Sequence, residues 1–322
     1  MQEPSFKQVR LSTRALTRHF DGFVSSLRHD TPETRGTYTR ALREFLRWFP
    51  RDTNFRFRVK DVRRYKHYLA ARRKLSEVSV STYLTALRRF CAYLVQRKIL
   101  EDNPAKYVGG NRRPGAHSRA FLSEEEVRML LSGTRSSDER GVRDHAMMLL
   151  MLQCGLSEIE LVRADVEDIS DDEHGRWMLV QGKGRREKDE RVLLPQEARS
   201  TLEHYMQMRG SSGKGDPLFA SAGNRTRGQR MTTRGVRDRI NAYLVAAGLK
   251  QHPHRRITPF SLRHTAAVVM ARNGATADEL RQRLRLGSLM TAQLYLEESQ
   301  IASHPSTLSH KEDSGGVPLH ND

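Results

Sequence analysis

Residues 103–119 divide this chain. They run from Asn103-Pro104 through Gly109-Gly110-Asn111-Arg112-Arg113-Pro114-Gly115, a composition that neither a helix nor a strand sustains. Before this stretch apolar residues recur only at helical spacing; after it, helical and alternating patterns mix. One continuous core cannot be drawn across such a segment. The sequence therefore predicts a tail (1–11), a small helical domain (12–105), a basic linker (106–119), a larger mixed domain (120–300) and an aperiodic Ser/Gly/His-rich tail (301–322), expected to be disordered.

Charge follows the same division. The 322 residues carry 56 Lys/Arg against 38 Asp/Glu, a net charge of +18 and a pI near 10.4. Residues 1–110 hold 24 of the basic and 10 of the acidic groups, and the remainder 32 and 28. An excess concentrated in one module points to a polyanion gripped through its phosphates. An acidic small-molecule enzyme, a secreted disulfide scaffold and a membrane protein are disfavoured. The two cysteines, Cys91 and Cys154, both fall within apolar helical patterns, too few for a disulfide framework or a zinc site. Met1 to Arg10 lacks a hydrophobic signal core, and the apolar run Ala146 to Leu156 is too short for a bilayer, so a soluble cytoplasmic protein without a membrane partner is expected.

Four helices are predicted before the linker. Leu16, Phe20, Phe23 and Leu27 share one face; Thr31-Pro32 is a cap with proline at the first helical position, opening a helix to about Trp48. A third runs from about Asp61 to Arg73 and a fourth from about Val78 to Lys98. The candidates for duplex contact are Arg63, Arg64, Lys66, Arg72 and Arg73 on the third, Arg88 and Arg89 on the fourth, and Arg112 and Arg113 in the linker. Most such contacts reach phosphates and carry no base information.

In the second domain Ser123 and Glu126 form a capping box before a helix. A helix is expected over Arg143 to Leu161. Short strands are expected at Val166–Ile169, Trp177–Val180 and Arg191–Leu194, the last two joined across Gly182-Lys183-Gly184. Helices follow at about Gln196–Met208, Thr233–Ala247, Pro259–Asn273, Ala277–Arg285 and Met290–Glu297.

Five segments of this domain stand in a telling order: Cys154-Gly155-Leu156 with Glu160-Leu161, then Gly182-Lys183-Gly184, Leu262-Arg263-His264-Thr265, Leu284-Arg285-Leu286-Gly287, and Tyr295. With them the chain resembles the tyrosine recombinase (phage integrase) family across both domains. The resemblance implies a mainly α fold with a small β-sheet (α+β), in which a SAM-like helical core-binding domain precedes a catalytic domain. It implies site-specific recombination or integration of a mobile element without a cofactor, through a 3′-phosphotyrosine bond. It also implies double-stranded DNA as partner, and a homo-tetramer or a mixed tetramer with another recombinase. Tyr295 then matches the nucleophile, Arg263 the second arginine, Lys183 the general acid, His264 a supporting histidine, and Glu160 a glutamate that steadies the first arginine's region. No metal is implied, and His252-Pro253-His254 with Arg255 and Arg256 reads as a basic loop.

Three positions depart from that pattern. Ser157 stands where the first arginine is expected, Phe260 where the histidine of His-x-x-Arg is expected, and Leu286 where a histidine or tryptophan is expected. Phe260 and Leu286 read as core replacements. Arg163 and Arg285 are the nearest residues that could substitute for a lost arginine. Impaired cleavage is therefore expected. The alternative is a catalytically defective homologue that serves as an architectural or regulatory DNA-binding partner of another recombinase.

Overall fold

The structure is a computed structural model describing residues 8–110, 120–134, 138–182, 184–210, 213–252 and 254–301. Contacts divide the chain into two compact units, meeting between Pro114 and Gly115. Among the described residues no helix is long and apolar enough to cross a membrane.

The first unit is all-helical: α1 (Thr13–Ser26), α2 (Pro32–Trp48), α3 (Val59–His67) and α4 (Glu77–Gln96). Each start has a local cause. Ser12, Thr31 and Ser76 accept from backbone amides three residues on, and Pro32 occupies the first turn of α2. The third helix begins at Val59, earlier than the sequence suggested, and its last turn widens into a π-turn over Tyr68–Arg72. Phe45, Trp48, Phe49, Phe55, Phe57 and Tyr65 form the aromatic centre, with Phe45 and Tyr65 rings 5.1 Å apart. Val108 is buried in this core, and Arg88 donates to the carbonyls of Ala105 (3.0 Å) and Val108 (2.9 Å). The module thus runs past residue 105, where the linker was expected to begin.

One buried carboxylate shapes the entry to α3. Asp61, fully buried, accepts from the backbone amides of Arg56 (2.9 Å) and Arg58 (3.0 Å) and from the Arg58 side chain (3.0 Å). Burial works against its charge, but the Arg58 side chain and the two amides outweigh burial and hold its pKa below the ordinary value.

The second unit is built around α6 (Glu139–Gln153), whose Met147, Leu149, Leu150 and Met151 are fully buried. Preceding it, α5 (Glu124–Ser132) carries the expected Ser123–Glu126 capping box. The helix expected over Arg143–Leu161 is broken in two. Gly155 takes a positive φ of 61°, and α7 (Glu158–Arg163) starts afresh at Ser157. The sheet is antiparallel in the order β1 (Ile169–Asp172), β2 (Gly175–Val180), β3 (Glu190–Leu193), with Met178 opposite both Ile169 and Val192. Val166–Asp168, expected as strand, is a single 3₁₀ turn. Then come α8 (Gln196–Arg209), α9 (Thr233–Ala246), α10 (Phe260–Arg272), α11 (Ala277–Arg283) and α12 (Leu289–Ile301). The last three enclose their own small core of Ala267, Val268, Leu280, Leu284, Ala292 and Tyr295. Cys91 and Cys154 are both buried free thiols, and burial pushes each up to about 12. The tail from 302 onward lies outside the described residues.

Asp61→Ala should cost the helical unit about 2–4 kcal/mol. Because the folded carboxyl titrates below its ordinary value, this contribution is fully present above pH ~4 and is lost as pH falls through the folded value. Urea unfolding followed through Trp48 fluorescence as a function of pH checks both statements: the wild-type-to-variant gap should shrink on the acid side.

Candidate active site and basic groove

The corner of the second unit where α7, α10 and the α11–α12 loop meet is organised by Glu160, which is 2% exposed. Ser157 caps α7, and its backbone N (2.7 Å) and Oγ (2.8 Å) both donate to Glu160 Oε2. Arg263, on the first turn of α10, donates from Nη1 to the same oxygen and to the Gly155 carbonyl, both at 2.8 Å. Its Nη2 donates to the Leu284 carbonyl. Arg285 arrives from beyond α11. Its Nε lies 2.6 Å from Glu160 Oε1, and its Nη2 lies 3.1 Å from the Gly155 carbonyl and 3.2 Å from Glu160 Oε2. Burial raises the Glu160 pKa, but the charges of Arg263 and Arg285 outweigh it, and the carboxyl sits below its ordinary value. Burial, with Arg285's charge, draws the Arg263 guanidinium downward against the pull of Glu160.

Gly155 makes this corner possible. A Cβ there would stand 2.3 Å from Leu284 Cδ2, and its φ is one that L side chains rarely adopt. The close approach lets one carbonyl, that of Gly155, receive both arginines.

Tyr295, on α12, is 2% exposed and packs in the small core. Its ring lies 5.1 Å from that of His264 and it is in electrostatic reach of Arg263. His264 is buried, with Nε2 3.1 Å from Glu298 Oε2 on α12. Thr265 Oγ1 accepts from the Leu122 amide (2.8 Å), tying the start of the domain to α10. Arg255 is held by Glu126 (2.6 Å) and the Phe121 carbonyl (2.7 Å).

The structure thus brings Arg263, His264 and Tyr295 together; Lys183 lies outside the described residues. Gly182, a described residue, is beside Arg285: a Cβ on it would stand 3.9 Å from Arg285 Cβ. Lys188, further along the same hairpin sequence, is engaged elsewhere. Its Nζ donates to Asp165 (2.6 Å) and Asp168. Burial works against its charge, but these bonds hold its pKa above the ordinary value. Arg163 donates to the Gly182 carbonyl (3.3 Å) rather than to Glu160. Leu286 packs, half-buried, against the small core. Phe260, expected as a core replacement, is only half-buried.

In the first unit the basic candidates separate by what already holds them. Arg88 is committed to the Ala105 and Val108 carbonyls, a structural role that removes it from the surface set. Arg64 forms a two-pronged pair with Asp52 (2.9 and 3.0 Å), and Lys66 donates to the Gly109 carbonyl (3.0 Å). Arg89 lies 3.5 Å from Asp30 and over the Tyr38 ring. Arg63 and Arg72 are exposed; Arg112 and Arg113 lie outside the described residues. Arg73 lines a cleft of about 660 Å³ with Arg35, Arg40, Arg43 and Arg47, all exposed on α2. Buried Glu44 accepts from Arg47 and Arg73, each at 2.9 Å. The α2 arginines escaped the sequence reading, which followed that helix's apolar face alone; they occupy the opposite face of the same wheel.

Residues 120–300 match the phage integrase family, and residues 19–101 match the SAM-like N-terminal domain of phage integrases. The chain is 30% identical over 288 residues to the tyrosine recombinase XerC of Serratia marcescens, spanning 87% of this chain and 90% of that protein. It is 28% identical over 303 residues to the XerC of Leptospira interrogans, spanning 93% of each. In fold it is similar to the XerH site-specific recombinase bound to a palindromic difH substrate (TM-score 0.69, 17% identity, 91% of this chain and 83% of that one). It is likewise similar to a lambda integrase dimer bound to a core site (TM-score 0.64, 15% identity, 87% and 77%).

Gly155→Ala should destabilise the second unit by about 1–3 kcal/mol, through overpacking against Leu284 and a disfavoured φ. Urea unfolding of the full chain read through Trp177, with Trp48 reporting the untouched first unit, checks it.

Proposed function

The chain belongs to the phage integrase family, and from that premise we propose that it is a site-specific DNA recombinase that cuts duplex DNA through Tyr295. The observation that carries this reading is the meeting of Tyr295, His264 and Arg263 in one corner of three packed helices. The chemistry is phosphoryl transfer by positioning and charge. The Tyr295 phenol gives up its proton to water as Oη bonds to phosphorus. The bond to the 5′-oxygen breaks, and the leaving oxygen takes a proton from Lys183. Arg263 stabilises the charge that gathers on the phosphate, and His264 holds the nucleophile's helix through its contacts with Tyr295 and Glu298. Because Tyr295 is 2% exposed, α12 must shift before its hydroxyl reaches a duplex.

Cutting is slower than in a site with its full set of polar groups. General acid–base groups are worth roughly 10²–10⁴ in rate each, and Phe260 and Leu286 can supply none. The reaction serves integration or exchange of a mobile element's DNA, in a tetramer that is either homomeric or shared with another recombinase. The first unit holds the duplex, its α2 arginines and Arg73 lining the groove that meets the phosphates.

A nicked suicide duplex carrying the ends of the encoding element should trap a covalent protein–DNA band. Tyr295→Phe should abolish it, and Arg263→Ala should slow it by about 10³-fold or more. No band, alone or beside a companion recombinase, would instead leave the chain a DNA-binding partner that does not cut.

Binding should respond to the groove. Replacing Arg35, Arg40, Arg43 and Arg47 with alanine should weaken the chain's affinity for all duplexes alike. It should also reduce the slope of log affinity against log salt by about one for each arginine that contacts a phosphate. A filter-binding salt series on the full chain measures this.

A further inference from the structure

We propose that Arg285 supplies the guanidinium that Ser157 does not, so that Arg263 and Arg285 are the two arginines that hold the scissile phosphate. This rests on the reading that duplex DNA is the substrate, and adds to it a catalytic residue from a new place in the chain.

Geometry is the first support. Ser157 turns its amide and hydroxyl inward onto Glu160 and ends there. Arg285 reaches the same carboxylate: its Nε donates to Glu160 Oε1 and its Nη1 to the Arg283 carbonyl, both at 2.6 Å, and its Nη2 makes longer bonds to Glu160 Oε2 and the Gly155 carbonyl, the two acceptors that Arg263 also uses. Arg163, the other available arginine, donates to Gly182 instead.

The backbone is the second. Arg285 has a φ of 52°, in the left-handed region that glycine enters freely and a long side chain does not. The loop holds an arginine in that conformation, which is costly unless the guanidinium gains something at its far end.

Charge is the third. Arg263 and Arg285 converge on one carboxylate, and their side chains are only 8% and 4% exposed. Among the described residues that bond to this corner, one positive charge is left over. A buried excess charge is unfavourable without a counter-charge, and a phosphate's oxygens match the forked donors of arginine. Gly182 is beside Arg285, where an added Cβ would stand 3.9 Å from Arg285 Cβ.

The test separates contact from mere support. In a Tyr295→Phe background, a duplex is selected from a random library by binding to the full chain. Its phosphates are then replaced one at a time by uncharged methylphosphonate. At one position the parent should lose about tenfold or more in affinity. Arg285→Gly should lose nothing further at that same position, a coupling that a structural arginine would not show. Arg263→Gln should flatten the same position. The pair Ser157→Arg with Arg285→Gly should restore the loss, and with Tyr295 back in place should restore covalent trapping that Arg285→Gly alone lacks. If Arg263 couples to a phosphate and Arg285 to none, this proposal falls and the recombinase reading stands. If neither couples to any phosphate, both fall. Should Arg285→Gly bind no duplex at all, the double variant decides: recovery of the position-specific loss supports the exchange, and its absence overturns it.

Discussion

The corner where α7, α10 and the α11–α12 loop meet depends on the carboxylate of Glu160. It caps α7 through Ser157, anchors α10 through Arg263, and anchors the loop before α12 through Arg285. A buried carboxylate is tolerable only when it is paired and its lone pairs are filled. Here four donor groups fill them, which is why its pKa falls although burial alone would raise it. The consequence is positional. Three segments distant in sequence are fixed within hydrogen-bond length of one another, and Tyr295 is carried on the helix that follows the third. The order of motifs along the chain becomes a site only through this one group.

The first unit repeats the device on its surface. Glu44 is buried beside the α2 groove, yet Arg47 and Arg73 both bond to it, and Tyr68 donates to it as well (2.9 Å). The arginines are thereby held in place at the rim instead of sampling solvent. Ordering a long side chain costs conformational entropy, and a carboxylate that meets this cost during folding leaves less to be met on binding. Local charge is therefore a poor guide to which arginines are available. Arg88 is as basic as its neighbour Arg89, but it is consumed by two carbonyls.

Much of the fold was legible in the sequence because its signals are local. Caps at Thr31 and Ser123, the apolar stripes of α2 and α4, and the hairpin after Val180 all appear where short-range chemistry put them. The failures share a cause. The helix expected through Leu161 breaks because Gly155 must let Leu284 approach, a contact across the fold that no local pattern announces. The linker begins late because Val108 finds the first unit's core and Arg88 finds its carbonyl. The α2 arginines were missed for a simpler reason, since an exposed basic face looks the same whether it lines a groove or open solvent. The candidates Arg263, His264 and Tyr295 came from the family resemblance, and the structure brings them together. The gathering of Arg285 and Glu160 was not legible, because they are 125 residues apart.

That distance bears on the proposed exchange between the places of Ser157 and Arg285. A transition state responds to where positive charge stands, not to which segment delivers it. Moving a guanidinium from α7 to the loop after α11 requires an acceptor that both places can reach, and Glu160 provides it. It also requires a backbone that aims the new side chain inward. The left-handed turn at Arg285 does so, at a cost of about 1–2 kcal/mol for a residue with a Cβ. Serine at 157 then completes the arrangement. A small hydroxyl caps α7 on Glu160 without filling the corner, leaving room for the side chain that enters from the far side. The same economy does not extend to Phe260 and Leu286. An apolar ring and an isobutyl group can neither donate to a phosphate nor accept from a phenol. On the proposed reading the corner is asymmetric: two guanidinium groups converge on Glu160, whereas Phe260 and Leu286 bring no polar group.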